Sequence, residues 1–308
     1  MPKTYIEKSI TIAAGVDKIK SIIADFNHWK AWSPWFILEP EAKDTISDHG
    51  KTHEWEGKRI GSGIIKIVAE EESVIKYDLQ FLKPWKSQSK SDFIIEKVDD
   101  NNTKLTWTME GSLPFFMFWM KNMMERLIGM DYDRGLLMLK DYIEKDTVEA
   151  KLEFLGESQF EGCNFVGLKS ECTIDNIGEV MEADFKKLAE FAKENEDVVT
   201  CDWFSVYHKF DFNKNRVVYT SGVGIKSDPE SIPAGMHKGN LPATKIHTVR
   251  HIGPYELSGN GWSAIMAMER AKEFKQNKKI PPMEFYRNSP METEPKDLIS
   301  DICMAIKQ

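Results

Sequence analysis

The stretch PFFMFWMKNMMERLIGMDYDRGLLMLKDYIE, residues 114–144, decides how the first half of the chain is read. Pro114 stands where a helix begins, because its fixed φ and missing N–H suit the first helical position. A continuous helical pattern runs from there to Glu144, with Phe116, Trp119, Met123, Leu127, Met138 and Ile143 among the members of a broad apolar stripe. Thirty residues of helix span about 45 Å, enough to cross a curved sheet from edge to edge. A Met- and aromatic-rich face of this kind either fills an irregular core or lines a cavity adaptably, and both readings stay open.

Working outward, the segments before this helix read as a sheet. Residues 5–12 partly alternate apolar and polar side chains, as a half-buried strand does. Ala13-Ala14-Gly15 breaks the pattern, after which Val16, Ile19, Ile22 and Ile23 fall on one helical face. Residues 63–68, 74–79, 93–96 and 104–109 are strand-like and separated by short turns such as Asp99-Asp100-Asn101-Asn102, which predicts antiparallel hairpins. This half holds seven of the nine tryptophans, and Trp107, Trp119 and Met123 are the expected walls of a cavity. His49 and His53 sit without a third group at metal spacing, so they read as a solvated pair and no metal site is expected.

The chain has 308 residues, a length for two domains, with 41% hydrophobic and 29% charged residues, which excludes a disordered chain. No uncharged apolar run approaches a membrane span, and the N-terminus lacks a signal-peptide pattern, so the expectation is a cytoplasmic protein without membrane association. The formal charge is −8, divided as −3 before and −5 after about Thr147. Neither half concentrates positive charge, which argues against direct nucleic-acid binding. Cys163, Cys172, Cys201 and Cys303 form no CxxC, and in a reducing compartment they read as small hydrophobes rather than disulfides.

The order strand, helical pair, antiparallel strands and long helix resembles the START-like, or SRPBCC, polyketide-cyclase superfamily. The resemblance spans about residues 3–145 and rests on Ala13-Ala14-Gly15-Val16-Asp17-Lys18-Ile19 and on Asp25-Phe26-Asn27-His28-Trp29-Lys30-Ala31-Trp32-Ser33-Pro34-Trp35. It implies a helix-grip fold around an apolar cavity that takes lipids or other hydrophobic small molecules.

The second half contains an internal repeat. One copy runs from Phe165-Val166-Gly167-Leu168 through a helix (Ile177, Val180, Met181, Phe185, Leu188, Ala189), then residues 202–207, and ends at 222–226. The other runs from 244–249 through a helix around Trp262, Ile265, Met266 and Met268, then 282–286, and ends at 303–307. Each copy is strand, helix, strand, strand, and Tyr207 corresponds to Tyr286. Modules that cannot each bury a full face should pack together and leave a cleft at a pseudo-twofold axis.

This half, about residues 149–308, resembles the GyrI-like, AraC-type effector-binding domain. The residues that carry the resemblance are Val249-Arg250-His251-Ile252-Gly253-Pro254-Tyr255-Glu256, Met283-Glu284-Phe285-Tyr286-Arg287-Asn288-Ser289-Pro290 and the closing Leu298-Ile299-Ser300-Asp301-Ile302. The resemblance implies that Glu284 anchors bulky aromatic or cationic compounds among aromatic side chains. Strand alternation puts Glu284, Tyr286 and Asn288 on one face and Met283, Phe285 and Arg287 on the other. Tyr255, Trp203, Tyr207 and Trp262 are the remaining expected ligand walls, and Gly253-Pro254 sets a strand-to-helix turn.

The expected fold is therefore α+β: a helix-grip domain over residues 1–147, then a duplicated effector-binding domain over 148–308. The expected function is small-molecule binding or sensing without a DNA-binding domain of its own and without a cofactor. The alternative is a hydrolase of electrophilic xenobiotics with Glu284 as general acid or base, so enzyme activity stays open, as do a protein partner and a homodimer.

Overall fold

The computed structural model describes residues 2–113 and 115–307. Two compact units emerge: residues 1–151 with 254–271, and residues 152–253 with 272–308.

In unit 1, β1 (Lys3–Ile12) is followed by α1 (Val16–Ile23) and α2 (Trp29–Trp32). Six strands come next: β2 (Lys43–Ser47), β3 (Thr52–Glu56), β4 (Ser62–Glu70), β5 (Val74–Lys83), β6 (Ser87–Lys97) and β7 (Thr103–Ser112). They form an antiparallel sheet in the order β1-β7-β6-β5-β4-β3-β2, against which the long helix α3 (Lys121–Lys145) packs. The expected strands and α1 form where alternation and helical spacing place them, with Ile19, Ile22 and Ile23 buried. β2 and β3 carry polar residues at most positions and had no alternation strong enough to read.

The long helix starts later than its sequence pattern. Pro114 lies outside the described residues, and Phe115–Met120 forms a 3-10 segment before α3. With three residues per turn instead of 3.6, this segment falls out of phase with the stripe. Phe116 and Trp119 are accordingly 75% and 62% exposed, while Tyr132, Leu136, Met138, Leu139 and Ile143 are buried. Gly135 lets α3 approach the sheet: a Cβ there would lie 2.9 Å from Trp107 Cζ3 and 3.1 Å from Pro34 Cγ. His53 is a correction to the solvated-pair reading. β3 turns it inward, 1% exposed, among Phe26, Phe36 and Trp55, while His49 stays exposed.

Unit 2 is built on β8 (Lys151–Phe160), β9 (Cys163–Cys172), β10 (Val199–Asp211), β11 (Arg216–Ile225), β12 (Met236–Leu241), β13 (Thr244–Ile252), β14 (Met283–Tyr286) and β15 (Ile299–Ala305). The sheet order is β12-β9-β11-β10-β14-β15-β13-β8. The duplication is visible in that order: β9-β11-β10 mirrors β13-β15-β14, and each copy's leading strand, β8 or β12, crosses to the edge of the other copy. Trp203 faces Tyr286, Ser205 faces Glu284, and Tyr207 N–H bonds to Pro282 O. That register is what a twofold at the Ser205–Glu284 pair requires.

The two copies treat their helices differently. α4 (Ile177–Glu194) covers unit 2's sheet through Leu188, Phe191 and Ala192, against Val166, Val223 and Ile225. The corresponding α5 (Gly259–Arg270) packs within unit 1, against α3 and the segment 36–38. Its anchor is Arg134, buried on α3, which donates to Asn260 Oδ1 at 3.0 Å and Ser263 Oγ at 2.9 Å. Gly253 adopts φ 141°, a backbone conformation open to glycine, as β13 turns into this segment. Cys163, Cys172 and Cys303 are free thiols, and the Cys201 side chain lies outside those described.

Candidate functional site

Three strands and a helix of unit 2 converge on Glu284. Because side chains alternate along a strand, Glu284 and Tyr286 share a face with Trp203, Ser205 and Tyr207 of β10 and with Ser221 and Tyr219 of β11. Phe285 and Met283 go to the other face, into a core with Phe165, Phe204 and Val206. There Arg287 lies over the Phe285 ring and shares Asp301 with Arg250, at 2.7 Å from each Nε. These cations are committed to Asp301 on the face away from Glu284.

The Glu284 carboxylate is 3% exposed and accepts the Tyr207 hydroxyl at 2.8 Å. Tyr286 donates to Ser205 Oγ at 3.1 Å and lies 3.3 Å from Met181 Sδ of α4. Phe185, one turn further along α4, meets Tyr286 edge-on at 5.3 Å and Trp203 at 6.1 Å. Glu284, Ser205 and Tyr207 are thus a buried polar floor, and Met181, Phe185, Trp203 and Tyr286 a half-buried rim. Burial, then the Glu284 charge, hold the Tyr207 hydroxyl well above its ordinary pKa, so it remains a proton donor.

A second carboxylate went unnoticed in the sequence. Asp184 of α4 is buried and accepts Ser170 Oγ at 2.7 Å and the Tyr219 hydroxyl at 3.1 Å. Burial and Asp184 raise the Tyr219 pKa as well. The signal was available: Asp184 interrupts the apolar face between Met181 and Leu188 at helical spacing. On the same face of the sheet, Ser221 Oγ, Ser300 Oγ and both ring nitrogens of His251 are buried without a hydrogen-bond partner among the described residues. Burial pulls His251 down to about 4, so it is neutral near pH 7.

Of the expected ligand walls, the structure brings Trp203, Tyr207 and Tyr286 together at Glu284. Asn288 lies past the end of β14, half-buried, with its amide on Asp297 O. Tyr255 and Trp262 are half-buried members of unit 1. Trp107 stacks on Tyr132 at 3.8 Å and Phe93 at 4.9 Å, edged by Trp29, Trp32 and Trp35, and donates to Ser91 Oγ. Trp119 is exposed and Met123 half-buried. A groove of about 340 Å³ elsewhere in unit 1 is lined by Asp17, Lys20, Asp25, His49, Lys51 and Glu70, with Lys51 already bound to Glu70 and Ala24 O.

Residues 158–307 match the GyrI-like small molecule binding domain, and residues 3–144 match the polyketide cyclase / dehydrase and lipid transport family. The class is that of proteins built from small-molecule-binding domains. The chain is a tandem of the two, a START-like (SRPBCC) domain followed by a GyrI-like domain. No curated protein matches it. Among solved structures it is similar to the C-terminal domain of EcmrR (14% identity, TM-score 0.41, covering 52% of this chain and 98% of that one). It is also similar to SAV2435 bound to tetraphenylphosphonium (14%, 0.40, 50% and 94%). It is similar as well to a START superfamily protein from Mycobacterium smegmatis (19%, 0.35, 46% and 99%). Among the described residues, no helix is long and apolar enough to cross a membrane.

Proposed function

We propose that the chain captures bulky aromatic cations, with Glu284 as their counter-charge. The observation that supports this reading is a carboxylate 3% exposed, held by a tyrosine hydroxyl and ringed by Trp203, Tyr207, Tyr286 and Phe185. A hydroxyl offers one partial positive charge to an anion, whereas a delocalised cation offers a whole one at low hydration cost. Aromatic faces add cation–π attraction at the rim. The neutral donors Ser221, Ser300 and His251 on the same face supply hydrogen bonds to polar substituents.

The test is a calorimetric titration with tetraphenylphosphonium and with neutral triphenylphosphine oxide, on the native protein and on Glu284→Gln. Loss of the charge-assisted contact should weaken the cation by about 1.5–3 kcal/mol, roughly ten- to hundredfold, and leave the neutral compound nearly unchanged. Equal affinity of both proteins for the cation would refute the assignment. If the native protein instead turns over a strained electrophile and Glu284→Gln abolishes turnover while retaining binding, the carboxylate is a general acid or base. Binding ranks first because an acid without an identified partner base is thin support for catalysis.

A further inference from the structure

One end of the unit 1 sheet combines exposed aromatics with basic residues. The antiparallel register brings the start of β1, the 57–61 and 84–86 turns, and the segment after β7 to the same end: Lys3 pairs with Ser112, Phe81 with Ser87, and Ser62 with Lys83. Phe115, Phe116, Phe118 and Trp119 are 76%, 75%, 61% and 62% exposed there, joined by Leu82 and Trp85 on the neighbouring turn. The segment is tethered at its base, where Leu113 is buried and its N–H bonds to Pro2 O. So large an exposed apolar surface marks an interaction site.

The charges around it are sorted. This end carries Lys3, Lys58, Arg59, Lys83, Lys86 and Lys121. Against these six cations stand four acids: Glu56 and Glu125, which pair with Lys83 and Lys121, the exposed Glu110, and Glu39, which turns inward onto the N–H groups of Lys58, Arg59 and Ile60, so a surplus of positive charge remains. Glu41 lies at the far edge, before β2. The opposite end of the same sheet carries the acids Asp48, Glu70, Glu71, Glu72, Asp99 and Asp100 against Lys51, Lys76 and Lys97, which pair with Glu70, Glu71 and Asp100. In a chain of net charge −8, the aromatic residues occupy the basic pole of their unit.

We propose that this end of unit 1 docks on the surface of an anionic lipid bilayer. The four aromatics enter the interfacial layer, where amphipathic rings are favoured, and the lysines meet the headgroups. Protein–protein interfaces are depleted of lysine around their aromatic centres, whereas five of the six cations here are lysines, whose long stems let the charge reach headgroups. Glu284 has no part in this, so the two assignments stand or fall separately.

Co-sedimentation of the whole chain with vesicles tests it, using phosphatidylcholine alone and an equal mixture with phosphatidylglycerol. The chain should bind the anionic vesicles in a salt-sensitive way and the neutral ones much less. Phe116→Ser with Trp119→Ser, both at exposed positions, should abolish binding while circular dichroism stays native. Lys83→Gln with Lys86→Gln should weaken it about thirtyfold. Failure to bind either vesicle, or undiminished binding by the aromatic variant, overturns the proposal. A concentration-dependent dimer that the aromatic variant abolishes, without vesicle binding, would also overturn it and make this end a contact between copies.

Discussion

Replacing Tyr207 by Phe removes one oxygen and leaves the ring. The ring's packing against Phe210 at 5.3 Å and Tyr219 at 6.3 Å is kept, so the change removes the hydroxyl's hydrogen bonds alone, the 2.8 Å one to Glu284 and one with Tyr286. Both partners are buried, and water does not replace the lost donor. A hydrogen bond to a charged group is worth about 1.5–3 kcal/mol, and that is the expected loss of unit 2 stability. Hydrogen exchange of the β10 and β14 amides, read by mass spectrometry, separates unit 2 from the tryptophan-rich unit 1. A second consequence has the opposite sign. With the hydroxyl gone, Glu284 Oε2 loses one donor whose place a bound cation can take, so tetraphenylphosphonium should bind Tyr207→Phe at least as tightly as the native protein. It should also restore much of the lost protection. A stability change within about 0.5 kcal/mol would show that the hydroxyl does not hold the carboxylate. Cation binding weakened as much as by Glu284→Gln would show that the hydroxyl, not the carboxylate, is the anchor.

Two further predictions concern unit 1. Burial, opposed by Asp44 and assisted by Lys30, lowers His53 to about 4 against an ordinary 6.5. A histidine depressed in the folded state stabilises fully above pH 6.5 and loses that contribution as pH falls toward 4. Acid should therefore cost unit 1 up to about 3 kcal/mol over that window, and His53→Leu should flatten the dependence in denaturant titrations at stepped pH. An unchanged slope would put the acid sensitivity elsewhere. Gly135→Ala would gain about 1 kcal/mol from helix propensity on an open surface. Here its Cβ would press on the Trp107 ring and Pro34, neither of them a flexible chain end, so net destabilisation of about 1–3 kcal/mol is expected. A raised Tm by calorimetry would show that α3 shifts freely.

Much of this architecture was legible because strand and helix periods are local. Ile19, Ile22 and Ile23 point inward wherever the chain goes next, and alternation along β14 separates Glu284 from Phe285 before any partner is known. The duplication was legible too, since two copies of one pattern need no contacts to be seen, and its offset of Tyr207 to Tyr286 matches a register that sets Ser205 against Glu284. Partners at long range were not legible. That His53 sits among rings rather than in water depends on Phe26 and Phe36, brought in from another part of the chain. That Asp184 receives Tyr219 and Ser170 depends on how α4 crosses β9 and β11. The helical pattern of α5 told that it would bury a face, but not which one it would meet. Arg134, 126 residues away, decided that by offering Asn260 and Ser263 a buried set of donors within unit 1. Periodicity records that a side chain must leave water; only the folded chain records what replaces the water.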